Sequence, residues 1–142
     1  MADPQGTVVV SGVEGFKREI TAGRHHLVAD EPVDVGGSDQ GPGPYELLLA
    51  ALGSCMSMTI ALYARRKAIP LHRVVIRLSH SRDYENDCEH CMTEDRRLDR
   101  VRVQLELTGD FSAEQRGKLI EIAHKCPVHR TLSAGINVQI EA

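Results

Sequence analysis

The stretch Lys125-Cys126-Pro127-Val128-His129-Arg130 sets a thiol directly before a proline, with His124, Lys125, His129 and Arg130 around it. Proline is favoured at the first position of a helix, so Cys126 falls at the N-cap of a new one. A sulfur there faces free backbone N–H groups and the positive end of the helix dipole. Such surroundings lower a thiol's pKa and make it reactive; the competing expectation is a buried structural cysteine beside a helix kink. A second thiol, Cys55, lies far upstream in an uncharged apolar run from Leu47 to Ala64. Buried thiols are more often inert than catalytic. One thiol in an apolar setting and another beside cations nevertheless suit a definite chemistry. A thiolate attacks a peroxide oxygen to give a sulfenic acid, and the second thiol condenses with it to a disulfide before over-oxidation.

A separate pair, Cys88-Glu89-His90-Cys91, forms a C-x-x-C element in a charged stretch, with His80 eight residues upstream. Cys88, Cys91 and His80 together supply a candidate zinc ligand set. The pair also reads as a redox couple, or as incidental, because a strong zinc signal needs a second pair at suitable spacing. Asp87, Glu89, Glu94 and Asp95 favour a cation there and raise the neighbouring thiol pKa values, which opposes nucleophilic chemistry.

The elements that must position these residues follow from periodicity. Thr7 to Val10, Phe16 to Thr21 and His26 to Ala29 read as strands, the first two bracketing a turn at Gly12 and Gly15. Gly36 to Pro44 is rich in glycine and proline and reads as a loop. Pro44 then opens a helix that runs to about Lys67, basic in its last turn, with Pro70 as its stop. Val74, Ile76 and Leu78 alternate with more polar neighbours, as do Val101, Val103, Leu105 and Leu107, so each segment is a strand with one buried face. The charged stretch between them, Arg82 to Arg97, reads as a loop or hairpin end. Ser112 with Gln115 is a capping-box pair opening another helix, along which Leu119, Ile122, Ala123 and Cys126 form an inward stripe. Ile136, Val138 and Ile140 read as a closing strand. Strand groups with interposed helices point to the α+β class with antiparallel sheet, as one domain over residues 1–142.

Composition narrows the function classes. The chain has 142 residues with a formal net charge of −3 and 4% aromatics, without tryptophan. A nucleic-acid binder carries a basic excess or stacking platforms, and neither is present. The run from Leu47 to Ala64 is long enough to span a bilayer, but Gly53, Ser54, Cys55, Ser57, Thr59 and several alanines make it only moderately apolar. It reads as the central helix of a globular protein, without a membrane partner. No signal-peptide pattern opens the chain, so the expected compartment is the cytoplasm, where cysteines serve chemistry or metal before structural disulfides.

Two stretches, Gly41-Pro42-Gly43-Pro44-Tyr45-Glu46-Leu47-Leu48-Leu49-Ala50-Ala51-Leu52-Gly53-Ser54-Cys55 and Lys125-Cys126-Pro127-Val128-His129-Arg130-Thr131-Leu132, resemble the OsmC/Ohr family of organic hydroperoxide reductases. The order of strands and helices agrees over almost the whole chain. Asp30-Glu31-Pro32, Gly36-Gly37 and the Cys88/Cys91 stretch resemble an OsmC-like branch distinct from the well-studied peroxidases. The resemblance implies antiparallel sheets around long central helices, an intertwined homodimer and active sites at the dimer interface. It implies Cys55 as the peroxidatic thiol and Cys126 as the resolving one, with an organic hydroperoxide as substrate and a dithiol such as a lipoylated protein as reductant. No cofactor is required by that chemistry; zinc at the Cys88/Cys91 loop is the one candidate.

Two departures from the peroxidase pattern stand out. The family carries a glutamate directly after the proline that opens the long helix; here Tyr45 holds that place and Glu46 follows, a rotation of about 100°. The family places an arginine in the first hairpin, for which Arg18 and Arg24 are the nearest residues, with Arg18 taken as the candidate. An arginine near Cys55 would stabilise its thiolate, and Glu46 would hold that arginine. Tyr45 is read as a pocket cap, as a hydrogen-bond partner of a bound oxygen, or as packing. Met56 and Met58 are read as core fillers or as the lining of an apolar substrate pocket. The departures keep open a non-catalytic module holding an apolar ligand or a metal ion, and a purely structural dimerising unit.

Overall fold

A computed structural model describes residues 6–84 and 97–142. The chain divides into two compact units, Met1–Leu48 and Leu49–Ala142.

The first unit is an antiparallel meander of β1 (Val8–Ser11), β2 (Arg18–Ala22) and β3 (His25–Ala29) in the order β1-β2-β3. Ala22 pairs with His25, which leaves Gly23 and Arg24 as a two-residue turn. Gly23 supplies the φ of +60° that such a turn requires. After β3 the chain is tied around one carboxylate. Asp30 is 2% exposed and accepts N–H bonds from Glu31 at 2.8 Å and from Ser38 and Gln40, each at 3.2 Å. Gly37 and Gly41 pass so close to the carbonyls of Glu31 and Val28 that neither position has room for a Cβ. The glycine-rich stretch is therefore a fixed loop. Burial raises the Asp30 pKa, but the N–H groups of Glu31, Gln40 and Ser38, with the charge of Lys17, outweigh it and hold the carboxyl below its ordinary value.

Helix α1 (Pro44–Arg66) continues from that loop. Its end is a Schellman motif, in which the Ile69 N–H reaches the Ala64 carbonyl at 2.9 Å and the Ala68 N–H reaches Arg65 at 3.4 Å. Ala68 takes the left-handed conformation, φ +52°, that glycine usually fills. The helix thus stops through its own C-terminal hydrogen bonds, four residues before the Pro70 expected to end it.

In the second unit β4 (Leu71–Tyr84) and β5 (Arg97–Gly109) form a long antiparallel ladder. These strands reach further than the alternation suggested, since strand pairing extends into the charged stretch expected as loop. Val74, Ile76 and Leu78 stand opposite Leu107, Leu105 and Val103, so one face of the ladder is apolar. Helix α1 lays Leu52, Met56, Ile60 and Ala64 along its buried side, four residues apart. Helix α2 (Ala113–Ala123) opens with the predicted capping box at Ser112 and Gln115. One cluster gathers Ile60, Ala64, Ile69, Leu107, Leu119 and Ala123. A second gathers Leu52, Met56 and Cys126, with Cys55, Ile76, Leu78, Val103, Val128 and Leu132 against them.

Two expectations need correction here. Cys126 does not extend the α2 stripe, because α2 ends at Ala123 and Cys126 begins helix α3 (Pro127–Ala134). Residues 136–140 are not a strand. Their alternation suits one, but a strand needs a ladder partner, and Ile136, Val138 and Ile140 are 61%, 75% and 91% exposed.

Candidate active site

Cys126 is the N-cap of α3 with Pro127 directly after it, as the sequence indicates. Its Sγ accepts the His129 N–H at 3.3 Å. The sulfur therefore does what a serine oxygen does at other helix starts, satisfying an N–H group that the helix cannot. It is also fully buried.

The expected electrostatics are overturned. Burial pushes the Cys126 thiol above its ordinary value of 9.0, opposed by the His129 N–H and reinforced by the neighbouring Cys55. The cations counted on to lower it do not outweigh that burial. Lys125 pairs with Glu121 at 3.3 Å, and Arg130 and His124 are exposed. Sequence proximity measured charge along the chain, whereas the sulfur faces inward across a helix start.

The structure brings Cys55 and Cys126 together. The two thiols are free and packed in one cluster, from helices that start 83 residues apart in the sequence. They differ in access: Cys55 is half-buried, Cys126 closed off. Around them the walls are aliphatic side chains and the Met56 thioether.

Beside this cluster lies a cavity of about 650 Å³. Leu52, Met56, Val101, Val103, Leu105 and Leu132 line its apolar part, and Asp99, His124 and His129 bring polar groups to it. The His124 and His129 rings meet edge to face with centroids 6.0 Å apart. His80 Nε2 lies 2.8 Å from Asp99 Oδ1, and Arg82 Nε donates to the same oxygen at 3.3 Å. The hydrogen bond from His80 holds the Asp99 carboxyl below its ordinary value, with burial opposing and the Arg82 charge assisting.

The other residues singled out in the sequence fall as follows. Met56 is buried and lines the cavity. Met58 is 70% exposed and lies with Ala61, Leu62 and Arg65 along a separate shallow groove. Tyr45 and Glu46 occupy the exposed first turn of α1. Arg18 is half-buried at the start of β2, where its Nη1 donates to the carbonyls of Gly15 at 2.9 Å and Lys17 at 2.8 Å. His80 is engaged with Asp99, while Cys88 and Cys91 lie outside the described residues. Among the described residues no group of three or more His, Cys, Asp and Glu side chains is placed to hold a metal ion.

Asp99 and the wall formed by Leu132 and Ser133 escaped sequence reading. A signal existed for Asp99: extending the β5 alternation back from Val103 and Val101 puts it on the same face.

With this geometry established, the chain belongs to the OsmC-like protein family, whose model matches residues 37–141. No curated protein matches the sequence. Solved structures agree over most of the chain. The OsmC-like protein from Mycoplasma pneumoniae is 21% identical with a TM-score of 0.73, covering 92% of this chain and 89% of that one. An organic hydroperoxide resistance protein OsmC from Legionella pneumophila is 21% identical with a TM-score of 0.64, covering 92% and 90%. An organic hydroperoxide resistance protein from Elizabethkingia anophelis is 18% identical with a TM-score of 0.63, covering 87% and 84%. These likenesses establish the α+β fold with antiparallel sheets.

Proposed function

We propose that this protein is a thiol-dependent peroxidase that reduces organic hydroperoxides in the cytoplasm as part of an oxidative-stress response, acting as one OsmC-like domain. The observation that carries this reading is the Cys55–Cys126 pair, one thiol reachable and the other enclosed, packed together in an apolar cluster. The Cys55 thiolate attacks the terminal peroxide oxygen, breaking the O–O bond. An alcohol leaves, and Cys55 becomes a sulfenic acid. Cys126 sulfur then displaces hydroxide as water, forming the disulfide, and a dithiol such as a lipoylated protein returns both thiols. The names of two structural relatives, organic hydroperoxide resistance proteins, favour the same substrate class. In this reading Met56, which lines the cavity, contacts the peroxide's organic part.

The working form is an intertwined homodimer. In support, α1 leaves Met58 and Leu62 70% and 40% exposed opposite its buried side, and the alternating segment at 136–140 is exposed without a ladder. Both are surfaces that a second copy would cover. Sedimentation of the wild type and of Met58→Asp tests this: a dimer for the first, weakened for the second.

The decisive experiment treats reduced protein with one equivalent of cumene hydroperoxide. Two thiols disappear into one intramolecular disulfide, and Cys55→Ser abolishes turnover with dithiol. Unchanged thiol counts would refute the reading. The cavity of about 650 Å³ favours one second reading, a non-catalytic module holding an apolar ligand. Ligand retained in native mass spectra, together with absent turnover, would select it.

A further inference from the structure

The Cys55–Cys126 pair is asymmetric in a way that bears on the return half of the cycle, and this inference rests on reading the two as a redox pair. Cys126 is 0% exposed, covered by Val128, Leu132, Leu52 and Met56, whereas Cys55 is half-buried on α1. Its Sγ caps the start of α3 and accepts the His129 N–H at 3.3 Å. Cys55 lies in mid-helix, where the backbone N–H groups are spent on the helix itself.

We propose that an incoming thiol reductant opens the disulfide by attacking Sγ of Cys55, so that Cys126 is the leaving sulfur. The reductant's thiolate forms a bond to the Cys55 sulfur as the Cys55–Cys126 bond breaks, and the bonding pair departs on Cys126. That sulfur, now a thiolate, keeps the His129 N–H as its hydrogen-bond donor and takes up a proton. Where the reductant is a dithiol, its second thiolate attacks its own mixed-disulfide sulfur and expels Cys55, so the dithiol leaves oxidised and both cysteines are reduced. Access decides the site of attack. A reductant aiming at Cys126 would have to enter a closed aliphatic cluster.

The test makes the disulfide with diamide, which needs no peroxidase activity. The oxidised protein then meets N-acetylcysteine, is quenched in denaturant with N-ethylmaleimide, and is mapped by peptide mass spectrometry. Expected are N-acetylcysteine on Cys55 and maleimide on Cys126, exceeding the reverse pattern by about tenfold or more. An even split, or the thiol adduct on Cys126, overturns the proposal. Val128→Ala and Leu132→Ala thin the cover and raise the share of adduct on Cys126; no change in either would also overturn it. If diamide forms no disulfide, this inference and the peroxidase reading both fall. If diamide forms it and hydroperoxide does not, only the peroxidase reading falls, and the adduct map decides the inference alone.

Discussion

Replacing each thiol by alanine separates the structural work of the two sulfurs. Cys126→Ala removes the acceptor of the His129 N–H, 3.3 Å away, from the first turn of an eight-residue helix. Losing a helix cap costs about 1 kcal/mol. The sulfur is fully buried among Leu52, Met56, Val128 and Leu132. Deleting a group of that size costs about 1 kcal/mol more, on the scale of about 0.8 kcal/mol per buried methylene. The sum is about 2 kcal/mol. Cys55→Ala differs, because the side chain is half-buried in the interior of a long helix, where alanine is the better helix former. The lost packing and gained propensity nearly cancel, leaving a change within about 0.5 kcal/mol. Urea unfolding of both reduced variants at one protein concentration measures these values, and for a chain of this size about 2 kcal/mol appears as a fall in Tm of roughly 4–8 °C. Equal effects, or a larger loss at Cys55, would refute the assignment of Cys126 as a helix cap.

Other perturbations have equally definite outcomes. Ala68→Gly relieves a left-handed alanine at the end of α1 and raises stability by about 0.5–1 kcal/mol in the same unfolding assay, net of glycine's entropic cost. Leu119→Ala, at a fully buried site beside Ile60 and Leu107, lowers stability by about 2–5 kcal/mol. The Asp30 carboxyl has a folded pKa below its ordinary 3.8, so it contributes stability above that pH, and the contribution is lost as pH falls through the lowered folded value. Asp30→Asn does not titrate there. The stability gap between wild type and Asp30→Asn is therefore widest near neutrality and closes as pH drops below about 3.8, a trend that acid-titrated urea curves read directly.

Local pattern alone determined much of this molecule. Pro127 after Cys126 sufficed to place a helix start on a sulfur, because proline's fixed φ and missing N–H suit that position and few others. Ser112 and Gln115 fixed the start of α2 through a reciprocal hydrogen bond between near neighbours. Alternation in β4 and β5 marked their buried face, since side-chain direction in a strand follows a period of two. What depended on distant partners was out of reach. The charge environment of Cys126 reversed, because Lys125 turned to Glu121 and burial outweighed the helix start. Residues 136–140 carry a strand's pattern but no strand, because a ladder is made between segments and no local preference supplies the second one. The meeting of Cys55 with Cys126 belongs to the same kind. Sequence supplied two thiols and their helices, but only packing of α1 and α3 against the β4–β5 face decided that both enter one cluster, and that one stays open while the other is sealed.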